Sequence, residues 1–326
     1  MMEYIIGIDL GATRMRVACL DPDLHILERK EILTLSEQGP DVTIQRMIDL
    51  IHEVMPTEGG CLGIGISSAG PTNPYTGMIV APPNLHGWHN VPIAPMLHDH
   101  FGITTYLGND ANVAVLAEAT RGAARGSEHA VFITVSTGVG SGIITDGHLL
   151  QGREGLGAEA GHIIMVAEEG RVTTLEKESS GTALARRARE HMARGDHSIM
   201  WEMAAGDPDK LTGKIVGTAA QQGDALALTL VRHAGRMLGL GMVSLLHLFS
   251  PDVLVFGGGV SQLGDLLFDP MREAIREYSL DESYWADLRV ERAKLGDNVS
   301  LVGAGALVIT AGGIEQISKV VAKLAD

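Results

Sequence analysis

Three glycine-rich turns in this sequence each follow a run of apolar, mostly β-branched residues. The first belongs to the segment Asp9-Leu10-Gly11-Ala12-Thr13-Arg14. Gly11 and Ala12 would let backbone N–H groups approach phosphate oxygens beside a hydroxyl and a cation, and Asp9 could hold Mg²⁺ directly or through water. The alternative is an ordinary hairpin whose turn is capped by Asp9, because short glycine motifs often occur by chance.

The other two turns strengthen the phosphate-binding interpretation. Thr137-Gly138-Val139-Gly140-Ser141-Gly142 lies between two apolar strands, so it could contact phosphates from the opposite side. Gly257-Gly258-Gly259 follows a third apolar strand, and the pattern predicts that it opens a helix whose N-terminus suits the adenosine side of a nucleotide. The P-loop sequence is absent, and the dinucleotide fingerprint is not met because Gly138 leads into another strand.

Strand and helix patterns place these turns in a repeated order. Strand–turn–strand–helix occurs once from Tyr4 and again from Ala130, which predicts two related α/β domains with a cleft between them. One large α/β domain with insertions is the alternative. Asp110 is predicted as the N-cap of a helix over residues 111–120, and residues 303–324 are predicted as a terminal helix.

Composition narrows the class of protein. The 326 residues carry a formal net charge of −15, which argues against nucleic acid or an anionic membrane as the main partner. Cys19 and Cys61 are the only cysteines, so neither a disulfide framework nor a cysteine-rich zinc cluster is expected. The N-terminus runs into a strand pattern without a signal-peptide pattern, which predicts a cytoplasmic location.

Several motifs, taken in order, resemble the ROK (repressor, open reading frame, kinase) family of sugar kinases, within the actin-like ATPase superfamily. Besides the three glycine turns, the resemblance rests on four further segments along nearly the whole chain. They are Ser68-Ala69-Gly70-Pro71, Pro83-Asn84-Leu85-His86-Gly87-Trp88, Asn109-Asp110-Ala111-Asn112 and Glu159-Ala160-Gly161-His162.

The resemblance implies a fold, a reaction and residue roles. The implied fold is α/β, a two-domain actin-like ATPase (ribonuclease H-like) fold with an interdomain cleft. Asp110 would be the catalytic base that accepts a proton as a sugar hydroxyl attacks the γ-phosphorus of ATP. The nucleotide and its Mg²⁺ would contact the glycine turns through the following residues: Asp9, Gly11, Ala12, Thr13, Arg14, Thr137, Gly138, Gly257 and Gly258.

Sugar binding is implied for Asn84, Asn109, Asp110, Glu159, His162 and Glu176. Glu178 competes with Glu176 for the same role. Many family members carry a cysteine-rich zinc segment after the histidine, whereas residues 163–176 contain no cysteine. No structural zinc is therefore expected, and His162 would face the sugar without a metal on its ring.

The domains are predicted as residues 1–112 plus 303–326, a small N-terminal domain with the terminal helix, and residues 113–302. The resemblance implies a glucokinase, with ATP and a sugar as ligands and a homodimer or homotetramer as the assembly. Kinases for mannose, fructose, N-acetylmannosamine or N-acetylglucosamine are alternatives. A non-catalytic sugar-sensing member of the family and an actin-like ATPase that acts without sugar are further alternatives.

Overall fold

A computed structural model, which describes residues 3–168 and 170–324, contains fourteen strands and eleven α-helices within those residues. The strands are β1 Glu3–Leu10, β2 Arg14–Leu20, β3 Ile26–Leu33, β4 Gly60–Ser68, β5 Thr72–Asn73, β6 Met78–Ile79, β7 Thr105–Asn109, β8 Ala130–Val135, β9 Val139–Thr145, β10 His148–Leu149, β11 Ile164–Glu168, β12 Arg171–Thr174, β13 Val253–Gly257 and β14 Arg289–Arg292. The helices are α1 Pro40–Val54, α2 Ile93–Phe101, α3 Asp110–Arg121, α4 Leu175–Ser179, α5 Gly181–Ala193, α6 Met200–Met203, α7 Gly213–Gln221, α8 Ala225–Phe249, α9 Asp265–Tyr278, α10 Val299–Ile309 and α11 Ile317–Val321. None of the helices in these residues has the length and apolarity needed to cross a lipid bilayer.

The described residues divide into two compact units. Unit 1 comprises residues 3–132, 142–158 and 293–324, and unit 2 comprises residues 133–141, 159–168 and 170–292. The chain passes from one unit to the other within β8 and β9. The predicted domain boundaries, after residue 112 and before residue 303, do not coincide with the boundaries of these units. The predicted division into domains stays a prediction.

Unit 1 is built on a five-stranded sheet in the order β3-β2-β1-β4-β7. Strands β1, β4 and β7 are parallel, so their carboxyl ends share one edge. One face packs on α1 and α2 through side chains such as Ile6, Ile8 and Met47. The other face lies under α10, and it approaches that helix so closely that a Cβ on Gly65 would overlap the Ala304 carbonyl oxygen. Helix α10 therefore rests directly on the sheet backbone.

Strand β3 is an edge of this sheet, and its sequence is largely charged. Most of its residues are exposed. Lys30 forms an ion pair with Glu53 of α1 at 2.9 Å, and Arg29 donates a hydrogen bond to Asn298 at 2.7 Å. These contacts hold charged side chains along an edge that has only one neighbouring strand.

The second sheet has the order β10-β9-β8-β13-β14, with β14 parallel to β13. In unit 2, α8 and α9 are long helices whose backbones approach closely at Gly235 and Gly239. A Cβ on Gly239 would lie 2.7 Å from the Cβ of Ala274. The β11–β12 hairpin occupies the segment that lacks zinc-binding cysteines, and Glu169 within it lies outside the described residues.

Two predicted elements are wrong in detail. The predicted terminal helix over residues 303–324 is two helices, α10 and α11, because Ala311, Gly312 and Gly313 take positive φ values of 49°, 78° and 86°. A right-handed helix cannot continue through that conformation. The turn Gly257-Gly258-Gly259 opens a short 3₁₀ helix, Val260–Leu263, and α9 begins only at Asp265 after Gly264.

Candidate active site

The first glycine turn, in unit 1, is a tightly bonded connection between β1 and β2. The Gly11 N–H donates to the Arg14 carbonyl at 3.1 Å, and a Cβ on Gly11 would lie 2.8 Å from the same oxygen. Thr34, the residue after β3, stabilises the turn, because its N–H donates to the Thr13 carbonyl at 2.9 Å and its hydroxyl to the Gly11 carbonyl at 2.6 Å. Ala12 is half-buried, Thr13 and Arg14 are exposed, and Arg14 forms an ion pair with Glu31. The turn is rigid and accessible.

Asp9, just before this turn, is paired with Arg16, a contact that sequence reasoning missed. Nε and Nη2 of Arg16 lie 2.8 and 2.6 Å from Oδ2 of Asp9, whose side chain is 15% exposed. The signal was available, since the β1–β2 hairpin register makes these two residues cross-strand partners. Both contacts use Oδ2, so Oδ1 has no hydrogen-bond partner among the described residues.

The donors around Asp9 fit a hard cation that keeps most of its water. Mg²⁺ prefers oxygen ligands and is commonly held by one or two carboxylates together with substrate phosphates. Oδ1 of Asp9 can supply that carboxylate oxygen. Ser67, the β4 partner of Asp9, has a buried Oγ with no hydrogen-bond partner among the described residues. Within those residues no group of three or more His, Cys, Asp or Glu side chains could hold a metal by itself.

Asp110 projects from the same sheet edge as Asp9. The register aligns Leu10 of β1 with Ser68 of β4, and Ser68 with Asn109 of β7. Strands lie about 4.8 Å apart, so the ends of β1 and β7 are separated by roughly 10 Å. Asp110 is exposed and is the first residue of α3.

The predicted N-cap of α3 is wrong by one residue. Asn109 is the N-cap, with an extended backbone, and its Oδ1 accepts the Ala111 N–H at 2.9 Å. Oδ1 of Asp110 also accepts that N–H, at 2.8 Å. Because Asn109 caps the helix, Asp110 occupies a fixed position in its first turn. The Asn109 amide in turn lies against Gly70, where a Cβ would be 2.8 Å from Nδ2.

Asn84 is exposed in the segment between β6 and α2 of unit 1. The described hydrogen bonds do not join it to Asn109 or Asp110. The contact between Asn84 and the sugar therefore stays a prediction.

The second glycine turn, in unit 2, is held by Glu176. Oε2 of Glu176 accepts the Val139 N–H at 3.0 Å, and a Cβ on Gly138 would overlap that oxygen. On its other side, the Thr137 carbonyl accepts a hydrogen bond from the Thr182 hydroxyl at 2.7 Å. The turn is thus fixed between α4 and the start of α5.

Glu159 and His162 lie beside the same turn. Both are exposed. Glu159 precedes and His162 ends a 3₁₀ turn, Ala160–His162, whose first N–H donates to the Ser141 hydroxyl at 2.9 Å. Gly161 packs against the Val139 carbonyl so tightly that a Cβ would overlap it. The Leu175 N–H donates to the Ile163 carbonyl at 2.9 Å and ties this segment to α4, which carries Glu176. Unit 2 therefore brings Glu159, His162 and Glu176 together around Val139.

Glu178 has a different environment from Glu176. It is 1% exposed, forms an ion pair with Arg187 and lies 3.0 Å from Nε2 of His233. A carboxylate enclosed in this way is a structural partner of α5 and α8, whereas Glu176 remains half-buried at the glycine turn.

A pocket of about 670 Å³ lies within unit 2 beside this turn. Four chain segments supply its wall, including the starts of helices α5 and α7, whose N-terminal N–H groups favour anions. These segments contribute Ser136 and Thr137, Gly181 and Thr182, Gly213 and Lys214, and Gly259 and Val260.

The third glycine turn is predicted to bind nucleotide through Gly257 and Gly258, and this stays a prediction. Gly259 is the residue of that turn that lines the pocket. Gly258 has a φ of +86° and lies against the Val135 carbonyl, so it shapes the turn. Sequence reasoning also missed Lys214, which lines the pocket, and it favoured an exposed helix face for Arg189, which lines the pocket too. Thr212 as N-cap before Gly213-Lys214 was the signal that could have indicated a helix start there.

With this geometry in place, comparison with known proteins identifies the class. The model of the ROK family matches residues 5–311, and the chain belongs to that family. The chain is 35% identical over 309 residues to a glucokinase of Thermotoga maritima, covering 93% of this chain and 96% of the relative. It is also 27% identical to a xylose repressor of Caldicellulosiruptor bescii, covering 94% of this chain and 78% of the relative.

A solved structure supports the fold. The ROK family glucokinase of Streptomyces griseus, solved in complex with glucose and AMPPNP, is 29% identical and superposes with a TM-score of 0.73 over 93% of this chain and 98% of that one. The predicted α/β, two-domain actin-like ATPase fold is confirmed by this likeness.

Proposed function

We propose that this protein is an ATP-dependent sugar kinase that transfers the γ-phosphoryl of Mg-ATP to a hexose hydroxyl, with glucose as the acceptor. The observation that carries the proposal is the position of Asp110. Its carboxylate is exposed, is set in the first turn of α3 by the Asn109 cap, and belongs to the same sheet edge as the Gly11–Arg14 turn. A proton acceptor near a phosphate-binding turn is what phosphoryl transfer to a hydroxyl requires.

The nucleotide contacts are proposed for the first and second glycine turns and for the unit 2 pocket. Backbone N–H groups of Gly11, Ala12 and Gly138, the hydroxyls of Thr13 and Thr137, and the guanidinium of Arg14 would bind phosphates. The pocket at the starts of α5 and α7 would take the adenosine side, with Gly259 beside the predicted Gly257 and Gly258. Mg²⁺, when bound through Asp9, would neutralise phosphate charge.

The sugar contacts are proposed from both units. Glu159, His162 and Glu176 present polar groups on a segment fixed by Ser141 and Val139, so their positions are set before a ligand arrives. Asn109 and Asn84 would add hydrogen bonds from unit 1. Fixed donors and acceptors orient ring hydroxyls, and that orientation contributes much of the rate enhancement in such reactions.

The choice of glucose rests on the relatives named glucokinase. Mannose, fructose, N-acetylmannosamine and N-acetylglucosamine are the competing acceptors. Measuring ADP release with each sugar at equal concentration ranks them by kcat/KM, and a higher value for any other sugar would reassign the acceptor.

We expect Asp110→Asn to lower kcat by about a hundredfold or more, because a positioned base contributes about 10²–10⁴-fold. The assay is ADP release with glucose and Mg-ATP. Asp99→Asn is the matched control, since Asp99 is an exposed aspartate of α2 in the same unit, outside the proposed site. An Asp110→Asn variant with wild-type turnover would remove Asp110 as the base.

A second candidate is a sugar-responsive regulator without kinase activity, and the likeness to a xylose repressor favours it. Such a protein would bind glucose in calorimetry but release no ADP with any sugar of the panel. We also propose a homodimer or homotetramer in the cytoplasm, and light scattering of the purified protein measures the assembly.

A further inference from the structure

A second pocket, of about 310 Å³, lies in unit 2 on the C-terminal half of α9. It is formed between α9, the residues after the 3₁₀ turn Glu282–Tyr284, and β14. Its wall comprises Arg272, Ile275, Arg276, Trp285, Leu288 and Val290. None of the residues that line the 670 Å³ pocket takes part in it.

Two arginines give this pocket a positive wall in a chain whose net charge is −15. Arg272 and Arg276 are four residues apart on α9, so they lie on the same side of the helix. Arg272 is compensated by Asp265 and Asp269, at 3.3 and 3.1 Å. In the part of the chain that the structure describes, no carboxylate lies within the 4.0 Å ion-pair distance of Arg276.

Arg276 is held in place by Trp285. The Arg276 guanidinium carbon lies 5.8 Å from the centroid of the Trp285 ring, a cation–π distance. The nearby carboxylate of Glu277 is engaged elsewhere, because it forms an ion pair with Arg236 of α8 at 3.1 Å. Arg276 is therefore an exposed guanidinium that lines the pocket and forms no ion pair among the described residues.

We propose that this pocket binds a small phosphomonoester, the phosphate ester of a sugar or similar polyol. A guanidinium group donates paired hydrogen bonds that match the spacing of phosphate oxygens. Ile275, Leu288 and Val290 supply an apolar wall for a carbon skeleton, which inorganic phosphate lacks. With less than half the volume of the other pocket, the site suits a ligand smaller than a nucleotide.

The test is calorimetric titration of the full chain with glucose 6-phosphate, with glucose and AMPPNP present at saturation to occupy the proposed active site. We expect Arg276→Gln to weaken glucose 6-phosphate binding about tenfold, because a hydrogen bond to a charged group is lost. Arg232→Gln is the matched control, since Arg232 is an exposed arginine of α8 in unit 2 and lies outside the pocket. It should bind within about twofold of wild type, the scatter expected for a residue without a ligand contact.

Inorganic phosphate is the second probe. Weaker binding of inorganic phosphate than of glucose 6-phosphate to the wild type supports the apolar wall, and equal binding contradicts it. Unchanged glucose 6-phosphate affinity in Arg276→Gln, or no binding to the wild type, would overturn the proposal. Should Arg276→Gln unfold by circular dichroism, Arg276→Lys, which keeps the charge but loses the paired donors, must show the same loss of affinity.

Discussion

Glu178 shows how one buried carboxylate can organise several helices of unit 2. It accepts hydrogen bonds from Arg187 of α5 and His233 of α8 while belonging to α4. Burial by itself raises the pKa of Glu178, but the hydrogen bonds from His233 and Arg187 outweigh it and lower the pKa to about 2. The folded state thus prefers the ionised form more strongly than the unfolded chain does.

This preference predicts a pH dependence of stability. A depressed carboxyl pKa stabilises the protein above the unfolded pKa, near 4.5, and that contribution disappears as the pH falls towards 2. Glu178→Gln should therefore lower the free energy of unfolding at pH 7 by about 3 kcal/mol and flatten its change between about pH 5 and 2. Urea unfolding at several pH values measures both effects.

Glu190→Gln provides the control, because Glu190 pairs with Arg186 on the exposed side of α5. Its effect should stay below about 1 kcal/mol, as for other surface ion pairs. Equal losses in the two variants would show that the enclosure of Glu178 does not stabilise the fold.

Among individual residues, spacing alone could not separate Glu176 from Glu178, because both lie in one short helix. Their environments depend on Val139, Arg187 and His233, which are distant in sequence. The Asp9–Arg16 pair could have been predicted more easily, since the register of a hairpin is set by its own turn.

At the scale of elements, α10 illustrates a helix placed by its glycines. A Cβ on Gly303 would overlap the Val113 carbonyl oxygen of α3, whereas a Cβ on Gly305 would lie 2.9 Å from the end of the flexible Leu24 side chain. Backbone cannot move aside as a side chain can. Helix α3, which begins with Asp110, is therefore positioned through contact with α10.

We expect Gly303→Ala to destabilise the protein by about 1–3 kcal/mol, as overpacking does, despite the better helix propensity of alanine. Gly305→Ala, in the same helix, should be near neutral because Leu24 can rotate away. Thermal unfolding followed by circular dichroism compares the two. A Gly303→Ala variant as stable as Gly305→Ala would mean that α10 shifts without cost.

Most elements could be predicted, since short continuous apolar runs mark strands such as β1, β4 and β8 locally. The ends of helices and their capping residues were harder to predict from the sequence. Whether Asn109 or Asp110 caps α3 depends on the residue at which the backbone becomes helical, and both residue types are good caps. The break after α10 depends on three consecutive left-handed residues, of which Ala311 carries no sequence signal.

The 670 Å³ pocket was only half predictable, because its glycine turns have a recognisable pattern but its helical wall does not. Arg189 and Lys214 reach the pocket from α5 and α7, and the packing of those helices is a tertiary property. Arg189 belongs to a basic run with Arg186 and Arg187, and such a run in an acidic chain is equally typical of an exposed helix face. Only packing shows that Arg189 lines the pocket and donates to the Pro208 carbonyl at 3.0 Å.

At the scale of the whole molecule, the charge of −15 should repel Mg-ATP over long distances. Salt screens such repulsion, with a Debye length of about 30 Å at 0.01 M and about 10 Å at 0.1 M. We therefore expect the KM for Mg-ATP to fall as NaCl is raised from about 0.01 to 0.1 M. Initial rates at fixed free Mg²⁺ measure it.

Glucose is the internal control for that experiment, because it carries no charge and its KM should not respond to salt. A rise in the KM for Mg-ATP would contradict long-range repulsion as the dominant effect. It would indicate that attraction by pocket residues such as Lys214 is stronger than the field of the whole chain.

The charged edge strand β3 has a consequence for how the protein behaves at high concentration. An open strand edge can recruit a strand from another molecule and so begin a fibril. Lys30 and Arg29, held by their partners Glu53 and Asn298, would have to lose those contacts and their hydration before a foreign strand could dock. The fold therefore carries its own protection against aggregation at the margin of its first sheet.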